Sequence, residues 1–154
     1  MTEIDIQSIL VLGTQSSVAL PVVRALASAF PQVDVHTLSK AEKHPQITNF
    51  SKYVTSHSYI KTDNREVFLE ELIAVIKAKS IDILLPVDEY FSKLVVTFQD
   101  QLKSHTIVPS LPDVELLETL THKYRLGTLL TEIGLPSARI YKAETLEPEI
   151  LESH

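Results

Sequence analysis

The feature that most constrains this chain is the run Ser8-Ile9-Leu10-Val11-Leu12-Gly13, which is short, apolar without alternation, and closed by a glycine. Continuous apolarity over so few residues is what a strand covered by helices on both faces requires, so it predicts the central strand of a parallel sheet. The segment behind it carries Val18, Leu20, Val22, Val23, Leu26 and Ala27 until Pro31. That spacing predicts a helix, capped by Ser16 or Ser17, with Pro21 in the first turn, where its missing N–H costs little. Val33-Asp34-Val35-His36-Thr37-Leu38 alternates and is rich in β-branched residues, predicting a second strand nearer the sheet edge.

The alternation of strand and helix then repeats. From Ser39 to Asp63 the pattern is weak, with short extended pieces expected at Tyr53-Val54 and Ser58-Tyr59-Ile60. Asp63 or Asn64 caps a helix whose Phe68, Leu69, Leu72, Ile73 and Ile76 form one apolar face. Ile81 to Pro86 is another short buried strand, and Asp88 or Glu89 opens a helix striped by Phe91, Leu94, Val95, Phe98 and Leu102. Thr106-Ile107-Val108-Pro109 reads as a brief final strand. Pro112-Asp113 announces a helix with Leu116, Leu117 and Leu120, and a last one carries Leu126, Leu129, Leu130 and Ile133 before Gly134 and Pro136. The expected fold is α/β: a doubly wound, mostly parallel, Rossmann-like sheet over 1–120, with a short helix–strand extension over 121–154.

Composition narrows the function. With 154 residues, 44% of them hydrophobic and 22% charged, the chain suffices for one domain with a proper core and a short appendage. A net charge of -6 with no Lys/Arg cluster argues against nucleic acid as a partner. The absence of cysteine removes disulfides, thiolate metal sites and thiol nucleophiles, and fits the cytoplasm. Acids stand where a signal peptide needs bases, and no apolar run approaches the roughly 18 residues of a membrane span. The expected partner is a small molecule.

In an open parallel sheet, ligands sit at the carboxyl ends of the strands. That directs attention to Gly13, Thr14, Ser16 and Ser17, to the loop 39–43, to 86–89, and to the loop around Val108. The Gly13-Thr14-Gln15-Ser16-Ser17-Val18-Ala19 turn keeps only the first glycine of a dinucleotide fingerprint, although N–H groups and hydroxyls at a helix start can hold a phosphate or carboxylate. The same residues can simply make a tight turn and a cap. Asp88 and Glu89 can serve as ligands or a base, or can cap and charge a helix N-terminus. His36, His44, His57, His105 and His122 lack the i, i+4 pairing of a helical metal site, so they read as ordinary surface or loop histidines and no metal site is expected. No nucleophile elbow or P-loop is present, and no catalytic residue is assigned.

The end of the chain adds a resemblance. Leu120-Thr121-His122-Lys123-Tyr124-Arg125, followed by Leu129-Leu130-Thr131-Glu132-Ile133-Gly134-Leu135-Pro136-Ser137-Ala138, resembles the join between a preATP-grasp domain and the ATP-grasp domain proper in ligases of the carbamoyl phosphate synthase and biotin carboxylase-like superfamily. The glycine after the first strand and Pro86-Val87-Asp88-Glu89 after the later one are similar too. The resemblance implies a parent enzyme that joins a carboxylate to an amine or similar nucleophile with ATP and Mg²⁺. This chain would supply one wall of the site and no catalysis of its own. Lys123 would match the basic residue that reaches ATP phosphates, while His122 departs from the usual acid. Arg139-Ile140-Tyr141 would begin the first strand of the next subdomain. The remaining ATP-grasp domain is the implied partner, a homodimer is left open, and the chain is expected to be a piece of a longer enzyme. A stand-alone NAD(P)-binding module is the alternative. It lacks the second and third glycines and has Leu38-Ser39-Lys40 where an acid should end the second strand. A phospho-acceptor receiver domain ranks behind it, because Gly13-Thr14-Gln15 supplies no acid.

Overall fold

The computed structural model describes residues 5–13, 16–40 and 47–138. These fall into two compact units, one up to Leu111 and one from Pro112 onward. In the first unit, β1 (Ser8–Leu12), β2 (Asp34–Lys40), β3 (Ser56–Ile60) and β4 (Ile83–Pro86) form an all-parallel sheet in the order β3-β2-β1-β4. The unbroken apolar run is therefore central, as its composition requires, and every residue of β1 is buried. Its start is fixed by the Asp82 carboxylate, which accepts from the N–H groups of Gln7 at 2.8 Å and Ser8 at 2.9 Å.

Helices cover both faces. Leu10, Leu12, Leu38, Ile60 and Leu84 point toward one core, closed by Phe68, Leu72 and Ile76 of α2 (Arg65–Ala78), Phe91, Leu94 and Val95 of α3 (Glu89–Thr97), and Leu102 of α4 (Gln99–Lys103). Ile9, Val11 and Val35 point the other way, against Ala19 and Val23 of α1 (Ser16–Ala29). Burying a side chain such as Phe91 or Leu72 contributes about 1.5–3 kcal/mol, so these two clusters dominate the stability of the sheet. Asn64 caps α2 by accepting from the N–H groups of Glu66 and Val67.

Four expectations are corrected. Pro21 lies in the second turn of α1 rather than the first, so the helix tolerates the loss of one internal hydrogen bond. The stripe from Phe91 to Leu102 is not one helix, because the chain turns at Phe98, whose N–H bonds to the Leu94 carbonyl at 3.1 Å. The strand expected at 106–109 is reduced to a single parallel bridge between Ile83 and Ile107. A 3-10 turn at Ile47–Phe50 precedes β3, and Tyr53-Val54 belongs to no strand.

The second unit consists of α5 (Val114–Thr121) and α6 (Lys123–Glu132), each started by a side-chain cap. Gly134 takes a left-handed φ of 73° just past α6, the stop that a C-terminal glycine provides. No helix among the described residues is long and apolar enough to cross a membrane.

Candidate functional site at the carboxyl edge of the sheet

The carboxyl ends of β2, β1 and β4 are drawn together by two backbone bonds. Gly13 N–H donates to the Leu38 carbonyl at 3.1 Å, and Val87 N–H donates to the Leu12 carbonyl at 2.9 Å. Gly13 is required here by space, since a Cβ would lie 2.9 Å from Val87 Cγ2 and 3.0 Å from Ala19 Cβ. The Gly13 turn and the Val87-Asp88 loop are thus neighbours. Asp88 is the N-cap of α3, its carboxylate accepting from Phe91 N–H at 2.9 Å, and Glu89 in the first turn pairs with Lys93 at 2.8 Å. Both acids therefore charge the start of a helix that points its N–H groups toward the same edge.

Thr14 lies outside the described residues, as do 41–46 of the loop after β2. Ser16 opens α1, and Ser17 is exposed in its first turn. Lys123 is the exposed first residue of α6, in the second unit. Arg139-Ile140-Tyr141 lies outside the described residues. His122 is the N-cap of α6, its Nδ1 accepting from Arg125 N–H at 3.4 Å, so the imidazole holds the position where a short acid would ordinarily cap.

Two features of this region join residues that the sequence named singly, without the partners that hold them. Lys40, at the end of β2, bonds to Asp63 at 2.8 Å and lies 4.9 Å above the ring of Tyr90. The Asp63 carboxylate and then the Tyr90 hydroxyl hold the Lys40 ammonium above its ordinary range, and Lys40 in turn holds Asp63 below its own. This assembly joins residues 23 and more positions apart, so no local motif announces it. The second feature is His57 on β3, whose Nδ1 contacts the Thr37 hydroxyl and whose Nε2 lies 3.2 Å from the Ser39 hydroxyl. Burial lowers its pKa to about 4, leaving the ring neutral at physiological pH. His36 is lowered as well, first by burial and then by the charge of Lys79, and its burial on β2, like the place of His57 on β3, corrects the expectation of surface or loop histidines. Among the described residues, no group of three or more histidine or acidic side chains is placed to hold a metal ion.

A hollow of about 430 Å³ lies instead at the amino end of β4, lined by Ile81, Asp82, Lys103, His105 and Thr106. A hollow there does not outweigh the carboxyl edge, because the ends of the parallel strands, Gly13 and the helix starts that favour a ligand converge at the opposite end.

An all-parallel sheet in this order, with helices on both faces, is a Rossmann-like α/β domain. More particularly, it has the fold of the N-terminal domains of biotin carboxylases. The biotin carboxylase domain of 2-oxoglutarate carboxylase from Hydrogenobacter thermophilus, solved with MgADP and bicarbonate, is 14% identical with a TM-score of 0.53, over 87% of this chain and 29% of that one. Biotin carboxylase from Campylobacter jejuni is 18% identical with a TM-score of 0.55, over 86% and 29%. A single-chain, multi-domain long-chain acyl-CoA carboxylase is 15% identical with a TM-score of 0.57, over 88% and 14%. The chain thus spans under a third of the length of these structures. No family model matches the sequence, and no curated protein matches it either.

Proposed function

We propose that this chain is the N-terminal portion of an ATP-grasp ligase that joins a carboxylate to an amine or similar nucleophile, and that it forms a wall of the site without supplying catalysis. The observation that carries this reading is the convergence of the Gly13 turn and the Asp88-Glu89 helix start on one edge of a sheet with the biotin carboxylase N-domain fold. In such a reaction a carboxylate oxygen attacks the terminal phosphorus of ATP and ADP departs. The amine then attacks the acyl carbon, loses a proton, and inorganic phosphate leaves.

In this reading Gly13, Thr14, Ser16, Ser17, Asp88 and Glu89 border the acceptor substrate or nucleotide, and Lys40 with Tyr90 offers a cation and a ring beside them. Lys123 contacts phosphate. A helix N-terminus ordinarily favours acids, yet α6 opens with Lys123 and Arg125 and has no acid in its first turn. Such a positive end suits an anionic ligand, which supports a phosphate contact. The boundary between the two parts falls near residue 120. ATP and Mg²⁺ act in the whole enzyme. Mg²⁺ is ordinarily held by carboxylates together with substrate phosphates, and no carboxylate cluster of that kind occurs among the described residues. The parent acts in the cytoplasm, as a monomer or homodimer.

The test is a thermal-shift titration of this chain with MgATP, NADH and NADPH, because a ligand of the native state raises the apparent stability. No response to the nicotinamides, with MgATP binding by the parent protein weakened by Lys123→Ala, is the expected pattern. Saturable stabilisation by NADH or NADPH, with none by ATP, overturns it in favour of a dinucleotide module at the Gly13 turn.

A further inference from the structure

The sheet is closed at one side by the Ile83–Ile107 bridge but open at β3, with which only β2 pairs among the described residues. Edge strands are usually protected by charge, proline or a bulge. Here β3 reads Ser-His-Ser-Tyr-Ile, five residues without charge or proline. The N–H of Thr55 donates to the Val35 carbonyl at 2.8 Å, which fixes the phase of the ladder. Backbone groups alternate along a strand, so the odd-numbered residues bond to β2, and the N–H and C=O of Ser56, Ser58 and Ile60 face outward. Within the strand Tyr59 is 39% exposed, its hydroxyl bonded by the Asn49 side chain from the preceding 3-10 turn, and the Lys79 ammonium donates to the Ser56 hydroxyl at 2.7 Å.

We propose that two copies of this chain associate by antiparallel pairing of β3 with β3 about a twofold axis at Ser58, joining their sheets into one. The sequence of the edge is what selects a second copy as the occupant. Pairing centred on Ser58 sets Ser58 against its own equivalent and Ser56 against Ile60, so the outward-facing groups meet as hydrogen-bonded pairs. On the other face it sets His57 against Tyr59 of the other copy, repeating across strands the edge-on ring contact that these two make within one strand at 4.2 Å. It also brings the exposed Lys61 opposite Thr55, whose hydroxyl donates to the Asp34 carboxylate at 2.9 Å. A cation therefore meets an acid-linked position twice, once at each end of the pairing. This inference is independent of the ligase reading.

Sedimentation equilibrium of the chain tests it, with two variants. Ser58→Pro removes an outward N–H and leaves the bonds to β2 intact, a position where an edge strand accepts proline. Lys61→Glu changes an exposed side chain and places an acid against an acid. The expected result is a concentration-dependent dimer, with dissociation constants raised about tenfold or more by Ser58→Pro and several-fold by Lys61→Glu, and with far-UV circular dichroism unchanged. If Ser58→Pro is unfolded, Lys61→Glu and the exchange rate of the Ser58 amide at high and low protein concentration decide. A chain that stays monomeric at all concentrations, or a dimer indifferent to Lys61→Glu whose Ser58 amide exchanges at the same rate throughout, overturns the proposal.

Discussion

At Gly13 the space between two elements, rather than the backbone angle, dictates the residue. A methyl group there meets Ala19 Cβ, which is fixed to α1, and Val87 Cγ2, which can rotate away. Replacing glycine by alanine gains roughly 0.4–1 kcal/mol through the unfolded chain, but overpacking costs about 1–3 kcal/mol, so Gly13→Ala should be net destabilising. Denaturant unfolding should show the loss, and Val87→Ala in the same chain should recover part of it. Sequence reading found this glycine by its place after an apolar strand. It could not find the partners of Lys40, because Asp63 comes from the loop before α2 and Tyr90 from α3. His57 was equally hidden, since one imidazole in a weakly patterned segment gives no sign of the two hydroxyls that hold it. Its pKa of about 4 lies below the 6.5 of an unfolded histidine, so the unfolded state binds more protons between those values. Stability from this ring is complete above pH 6.5 and is lost as pH falls toward 4, by on the order of 2 kcal/mol. His36 acts in the same direction. Thermal unfolding across that window, with the two ring signals followed by NMR, checks both the sign and the assignment.

Among the elements, those with strong periodicity were legible and their ends were not. The apolar faces of α2 and α3 and the burial of β1 follow directly from residue spacing. The break at Phe98 does not, because Phe98 and Leu102 continue the stripe across the turn and both are buried. The expected strand at 106–109 carries Pro109 and follows a tight turn, which leaves room for one bridge only. The start of α6 shows how a capping position is occupied without the usual residue. His122 accepts from Arg125 N–H at a long 3.4 Å, and the two cations that follow oppose the helix dipole. A carboxylate caps better and favours the dipole, so His122→Asp should stabilise α6 by about 0.5–1 kcal/mol. Hydrogen exchange at the amides of Arg125 and Leu126 reads this locally, slower exchange being the expected outcome.

At the scale of the molecule, the residues that close both cores lie at or before Leu111. The second unit differs in kind. No residue of α5 is buried, Gly127 alone is buried in α6, and Leu116, Leu120, Ile133 and Leu135 are 40% or more exposed. Sequence periodicity showed that these helices have apolar faces but could not show how little of those faces is covered. Hydrophobic stabilisation follows the area removed from water, so most of it belongs to the first unit. A chain ending at Leu111 should therefore unfold cooperatively, with a midpoint within about 5 °C of the full chain, a shift equivalent to roughly 1 kcal/mol at this size. Calorimetry of the two chains makes the comparison. A truncated chain that loses its near-UV signal, or that melts without a cooperative transition, would mean that α5 and α6 contribute to folding far more than their burial accounts for. The midpoint should also fall by only a few degrees with Leu116→Ser or Leu120→Ser, because each residue keeps 40% of its surface in water.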